Sequence, residues 1–83
     1  MKYNVVLSLE AVEDVLRITM ASQSKTTIID ASRQIQQRLS RDPYDEGEHL
    51  SEGLYFVDCE PLRAFFTVEG DETTVEIVSV RTL

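Results

Sequence analysis

The chain is predicted to be a small α+β protein, a strand followed by two helices and three strands, with the helical hairpin packed on a small antiparallel sheet. Apolar residues alternate with period two near the start and again after residue 53, the signature of strands with one buried face. Between residues 9 and 41 they recur instead at helical spacing. No Pro/Gly/Ser-rich stretch divides the 83 residues, 42% of them hydrophobic, so residues 1–83 are expected to share one core and form one domain. A chain of this length buries only about 60–65% of its unfolded surface, which leaves a thin stability margin.

Residues 2–7 place Tyr3, Val5 and Leu7 on one side of the first strand. Ser8 then has the side chain to cap a helix over residues 9–22, with Glu10, Glu13 and Asp14 near its positive end and Leu7 set to pack on Val12. Leu9, Val12, Val15, Leu16 and Thr19 form its predicted inward stripe. Ser22 to Ser24 interrupt the pattern, and either Ser24 or Thr26 caps a second helix over residues 25–41. Its stripe is Ile28, Ala31, Ser32, Ile35 and Leu39. Pro43 cannot continue the helix and pushes Asp42 towards an extended conformation.

Residues 42–53 are polar and carry Pro43, Gly47 and Gly53, so they read as a surface loop. Residues 54–59, 62–69 and 73–81 then read as three strands of a meander, divided by Glu60-Pro61 and Gly70-Asp71. The expected core sets Val12, Leu16, Ile28, Ile35 and Leu39 against Val5, Leu7, Phe56, Leu62, Ala64, Phe66 and Val78.

Fifteen acids against eight bases give a net charge of −7, which weighs against a surface that tracks nucleic-acid phosphates along its length. Much of the excess is local. Asp42, Asp45, Glu46, Glu48 and Glu52 share one window without a base. The single cysteine, Cys59, has no partner for an intramolecular disulfide, and no paired Cys/His spacing holds zinc. A reducing cytoplasm is therefore expected. The apolar stretch at the N-terminus is too short for a signal h-region or a membrane span. No phosphate-cradling Gly-rich loop or triad-like motif is present, and no cofactor is expected.

The order of elements, with LSRDPYDEGEHLSEG and then PLRAFFTVEGDETTVEIVSVR, resembles the RelE/ParE family of bacterial toxins, of plasmid-stabilisation type, over nearly the whole chain. Leu39, Asp42-Pro43, Gly47-Glu48, Leu50 to Gly53, Leu62-Arg63 with Phe66, and Val78 to Arg81 carry the resemblance. It implies a RelE-like fold and the toxin role of a type II toxin–antitoxin system, with a cognate antitoxin as partner and the ribosome with its mRNA, or DNA gyrase, as target. A homodimer is compatible with it, and a membrane is not implied. RNA cleavage by a 2′-hydroxyl needs a base, cations for the equatorial oxygens and a proton donor for the leaving oxygen.

Arg63 and Arg81 match family arginines on the middle and last strands of the meander and are the implied catalytic residues, an mRNA-cleaving pair. The chain departs from the pattern where Gly53 is followed by Leu54-Tyr55-Phe56 rather than by Lys or Arg, and where only Thr82 and Leu83 follow Arg81, without the Tyr or His of the ribonucleases. A degenerate endoribonuclease, a gyrase inhibitor and a non-enzymatic interaction module thus stand side by side. Guanidinium forks suit phosphate oxygens, while the bland reading pairs these arginines with Asp58 or Glu60 in solvent. His49 reads as a solvated histidine, Cys59 as a structural thiol and Tyr55 as core. Lys25, Arg33, Arg38 and Arg41 form a positive rim on the second helix, opposed only by Asp30.

Whether the two arginines share a site depends on strand parity. A three-residue loop (Gly70, Asp71, Glu72) pairs residue 69 with 73, sets Arg63 across from Ser79 and puts Arg81 on the same face. A two-residue Gly70-Asp71 turn would send Arg81 to the other side. The first register also gathers Leu62, Ala64, Phe66 and Val68 beside Val78 and Val80, and it is the expected one.

Overall fold

The structure is a computed structural model that describes residues 3–71 and 73–83. Strand β1 (Asn4–Leu7) leads into helices α1 (Leu9–Ala21) and α2 (Lys25–Arg41), a single-turn helix α3 (Pro43–Glu46), and strands β2 (Glu48–Ser51), β3 (Leu54–Cys59), β4 (Leu62–Val68) and β5 (Thr74–Thr82). The sheet order is β1-β5-β4-β3-β2. All neighbours are antiparallel except β1, which runs parallel to β5 with Val5 opposite Val75 and Leu7 opposite Ile77. The expected antiparallel sheet thus has one parallel edge. From β1 the helices carry the chain across the sheet to β2 at the opposite edge, and β3, β4 and β5 then step back until β5 lies beside β1, a connection long enough for a parallel pair.

One face of the sheet carries the helices, and the core between them is Ile28, Ala31, Ile35 and Leu39 of α2 against Val57, Leu62, Ala64, Phe66, Val75, Ile77 and Val80. Tyr3, Val5 and Leu7 pack on its margin, as their alternation predicts. Lys2, placed in the predicted first strand, lies outside the described residues. Ser8 caps α1 by accepting the Ala11 N–H at 3.0 Å. Ser24 is the N-cap residue of α2, its hydroxyl bonded to that of Thr27 at 2.6 Å.

The face of α1 differs from the prediction. Ala11 and Asp14 are buried and Val15 and Ile18 pack on the core, whereas Leu9, Val12, Leu16 and Met20 face solvent. The inward stripe is rotated because its two most buried members are a small residue and a carboxylate, which a search for large apolar side chains passes over. Phe56 and Val78, also expected in the core, are only half-buried. Phe56 alternates with buried Val57 and so lies on the sheet face away from the helices.

The predicted loop over residues 42–53 contains two short elements. Asp42 accepts the Tyr44 and Asp45 N–H groups at 3.2 and 3.1 Å, with Pro43 in the first turn, and so starts α3. β2 is an edge strand with all four residues exposed, so it shows no hydrophobic alternation to read. Gly47 between them sits against the Phe66 ring, where a Cβ would meet Cζ and Cε1. Gly53 closes the turn to β3 at φ +76°, a conformation costly for any side chain.

Candidate functional site

The outer face of the sheet brings the two predicted arginines together by a route that differs from the expected one. Val68 pairs with Val75 and Phe66 with Ile77, and the Glu69 N–H donates to the Thr74 oxygen at 2.8 Å. The hairpin therefore pairs 69 with 74 rather than with 73, and Glu72 of the predicted loop lies outside the described residues. Carried on unbroken, this register would set Arg63 opposite Val80 and turn Arg81 to the helix side. Instead β5 slips by one residue at Val78, and from there Phe65 faces Ser79, Ala64 faces Val80 and Arg63 faces Arg81 directly. Arg63 is thus not across from Ser79, yet it does share a face with Arg81.

The slip answers the order of apolar residues in β5. Strict alternation buries Val75 and Ile77 or Val78 and Val80, but not both pairs; one extra residue lets Val75, Ile77 and Val80 all reach the core. The backbone groups beside that residue need partners, and the start of the chain supplies them. The Ser8 N–H donates to the Ile77 oxygen at 2.9 Å and its hydroxyl donates to the Val78 oxygen at 3.1 Å. Asp14 of α1 accepts the Val80 N–H through Oδ2 at 2.9 Å in a buried hydrogen bond, and its Oδ1 accepts from Arg17 at 3.0 Å.

Asp58, Arg63 and Arg81 form one row across β3, β4 and β5, with Glu48, Phe56, Phe65 and Ser79 in the next row. Like charges directly opposite on a sheet repel. Two features relieve this. Arg63 donates through Nε to Asp58 Oδ1 at 2.6 Å and through a terminal nitrogen to Oδ2 at 2.9 Å, a bidentate fork. The guanidinium carbons of Arg63 and Arg81 also lie 4.4 Å from the Phe56 ring centroid and 5.5 Å from that of Phe65. The hydrogen bonds from Arg63, and secondarily the positive charge of Arg63 and Arg38, hold the Asp58 carboxyl below the ordinary carboxylate range. Asp58 in turn pushes the Arg63 guanidinium up.

Arg81 has no carboxylate partner among the described residues. Beside it lies a groove of about 360 Å³ lined by Leu50, Leu54, Phe65, Val78, Ser79 and Arg81. The opposite end of the same face is acidic, with Glu69, Asp71 and Glu76. An anion therefore meets attraction at the Arg81 end only.

His49 is exposed, its ring 5.4 Å edge-on to Tyr55, and Tyr55 stacks on Phe66 at 5.6 Å on the helix side, so neither reaches the arginine pair. Cys59 is a free, half-buried thiol whose sulfur lies 3.5 Å from Gln34. The positive rim of α2 is largely engaged. Arg38 bonds Glu46 at 2.8 Å and the Asp58 oxygen at 2.9 Å, Arg41 lies 3.7 Å from Glu46, and Arg33 lies 3.7 Å from Asp30. The Lys25 ammonium bonds the Thr19 and Ser22 carbonyls at the end of α1. No group of three or more potential metal ligands occurs among the described residues. No helix among them is long and apolar enough to cross a membrane.

This architecture is similar to that of solved chains from toxin–antitoxin systems. A chain of the RelBE2 toxin–antitoxin complex of Mycobacterium tuberculosis superposes with a TM-score of 0.82 at 20% identity, covering 100% of this chain and 93% of that one. The ParDE system of Pseudomonas aeruginosa gives 0.70 at 17% identity, with 99% and 97% covered. A YoeB/ParE toxin of Agrobacterium tumefaciens gives 0.74 at 15% identity, with 96% and 98% covered. The RelE-like fold predicted from the order of elements is therefore the fold adopted. No family model matches the sequence, and no curated protein matches it.

Proposed function

We propose that this chain is the toxin of a toxin–antitoxin pair, restrained by a cognate antitoxin protein and acting in the cytoplasm through the Arg63–Arg81 end of its outer sheet face. One observation carries the reading: on a fold shared with 93% of a chain from a toxin–antitoxin complex, a one-residue slip in β5 sets Arg81 directly opposite Arg63. In this reading Arg81 is the principal phosphate-binding group, with the Phe65 ring as the floor on which a base stacks. Arg63 contributes less, since Asp58 occupies two of its donors.

Cleavage of RNA would further require a base and a proton donor, and the described residues of this face supply no Lys, His or Tyr. We therefore assign anion and RNA binding to the site and treat its cleavage chemistry as eroded. The bidentate Asp58 pair favours a second reading, an interaction module on the same fold whose arginines serve only to hold the sheet face together.

The test is induced expression in a bacterial host, with growth, translation and mRNA ends followed. Growth arrest that Arg81→Ala abolishes without lowering the melting temperature is the expected result, and Asp58→Ala, which frees Arg63, should strengthen the arrest. Wild-type protein that leaves growth unchanged would remove the toxin reading and leave the interaction module.

A further inference from the structure

The outward face of α1 is apolar where a solvent-facing helix should be polar. Leu9, Val12, Leu16 and Met20 are exposed at 75, 40, 56 and 77%. Their spacing of three, four and four residues places them along one line of the helix, the seam that a partner helix fills in a coiled-coil pair. Asp14 and Ala11, on the opposite side, are buried against the sheet, so the seam points away from the core. The flank of the seam carries Glu13 and Arg17. Glu13 has no ion-pair partner among the described residues, and the Arg17 side chain is 68% exposed, with one nitrogen on Asp14.

We propose that this face binds a second copy of the chain, with the two α1 helices packed antiparallel about a two-fold axis near Asp14 and Val15. In that arrangement Leu9 meets the other copy's Met20, and Val12 meets its Leu16. The seam is therefore complementary to itself. In an antiparallel pair the same flank of each helix faces the other. Glu13 of one copy thus meets Arg17 of the other, twice by symmetry. A parallel pair would instead set each residue beside its own equivalent and leave the charges unmatched. The charge pattern along α1 thus argues for a second copy rather than for an unrelated helix. A helix of 13 residues is about 20 Å long, and a pair of that length lies at the small end of stable interfaces, so the dimer is concentration-dependent rather than obligate.

Sedimentation equilibrium of the purified chain tests this, independently of any toxicity. The apparent mass should rise towards twice the monomer value with concentration. Leu16→Glu, at a position exposed in the monomer, should weaken association by more than about tenfold without lowering the melting temperature of dilute protein. Glu13→Arg should also weaken it, and the double exchange Glu13→Arg with Arg17→Glu should restore it. A chain that stays monomeric at millimolar concentration overturns the proposal, as does a dimer indifferent to Leu16→Glu or an exchange that fails to restore association. A monomer whose α1 face is covered only by a different protein would assign the surface to that protein instead.

Discussion

Replacing Asp14 with Ala should loosen the point at which β5 changes register, and with it the placement of Arg81. The Asp14 carboxylate accepts the buried Val80 N–H at 2.9 Å, and among the described residues no neighbouring strand reaches that side of β5 beyond Ile77. A hydrogen bond to a charged acceptor contributes about 1.5–3 kcal/mol, and a buried N–H left without a partner costs a similar amount. Alanine gains back a few tenths of a kcal/mol in helix propensity. The net loss is then about 1–2.5 kcal/mol, and for a domain of this size the melting temperature should fall by on the order of 10 °C.

Asp14→Asn separates the hydrogen bond from the charge. Its amide oxygen still accepts from Val80, and the exposed pairing with Arg17 that it gives up is worth about 0–1 kcal/mol. Urea unfolding of the three proteins, with hydrogen exchange at the Val80 amide, measures both effects. The alanine variant should exchange Val80 faster than its global stability loss alone explains. Equal stability of Asp14→Ala and wild type, or an asparagine variant as damaged as the alanine one, would refute this account of the β5 register.

Ile35→Ala should cost about 2–5 kcal/mol in denaturant unfolding, since Ile35 is 2% exposed, whereas Leu16→Ala should change the stability of dilute monomer by less than about 0.5 kcal/mol. Gly47→Ala forces a methyl against the Phe66 ring, within 2.9 Å of Cε1, and should destabilise by about 1–3 kcal/mol although the Gly47 backbone (φ −97°) suits any residue. Asp58 should titrate below the ordinary aspartate range, as read by carboxyl carbon shifts, and Arg63→Ala should return it upward. Because the folded value is the lower one, the small stabilisation from this pair is present above the unfolded value and lost as pH falls through the folded value. An unshifted Asp58 would mean that the pair does not persist in solution.

Period-two and helical spacing were enough to place α1, α2, β3, β4 and β5, because each element keeps one face against the core and repeats that demand along its length. Ser8 as a cap and Pro43 as a helix stop were legible for a similarly local reason: one side chain completes, or one ring forbids, a hydrogen bond within a few residues. β2 was not legible, since an exposed edge strand is specified by its neighbour's free backbone groups rather than by its own side chains. The α3 start could have been read from Asp42 followed by Pro43 at the first helical position and by Asp45 and Glu46 in the first turn, a helix-start pattern inside what otherwise looks like loop.

The sequence by itself determined that Arg63 and Arg81 would stand on adjacent strands, since β4 and β5 are joined by a short turn. Tertiary structure alone decided that they face each other. Parity along a strand is lost with a single extra residue, and whether β5 accepts one depends on partners far away in the chain: Ser8, 70 residues before Val78, and Asp14, 66 residues before Val80, satisfy the backbone that the slip exposes. The tertiary structure also decided which side of α1 faces the sheet. Ala11, Val15 and Ile18 pack on the core beside an inward Asp14, which leaves Leu9, Leu16 and Met20 in solvent, a choice that side-chain hydrophobicity alone could not predict because the inward carboxylate is tolerated only where the Val80 N–H satisfies it.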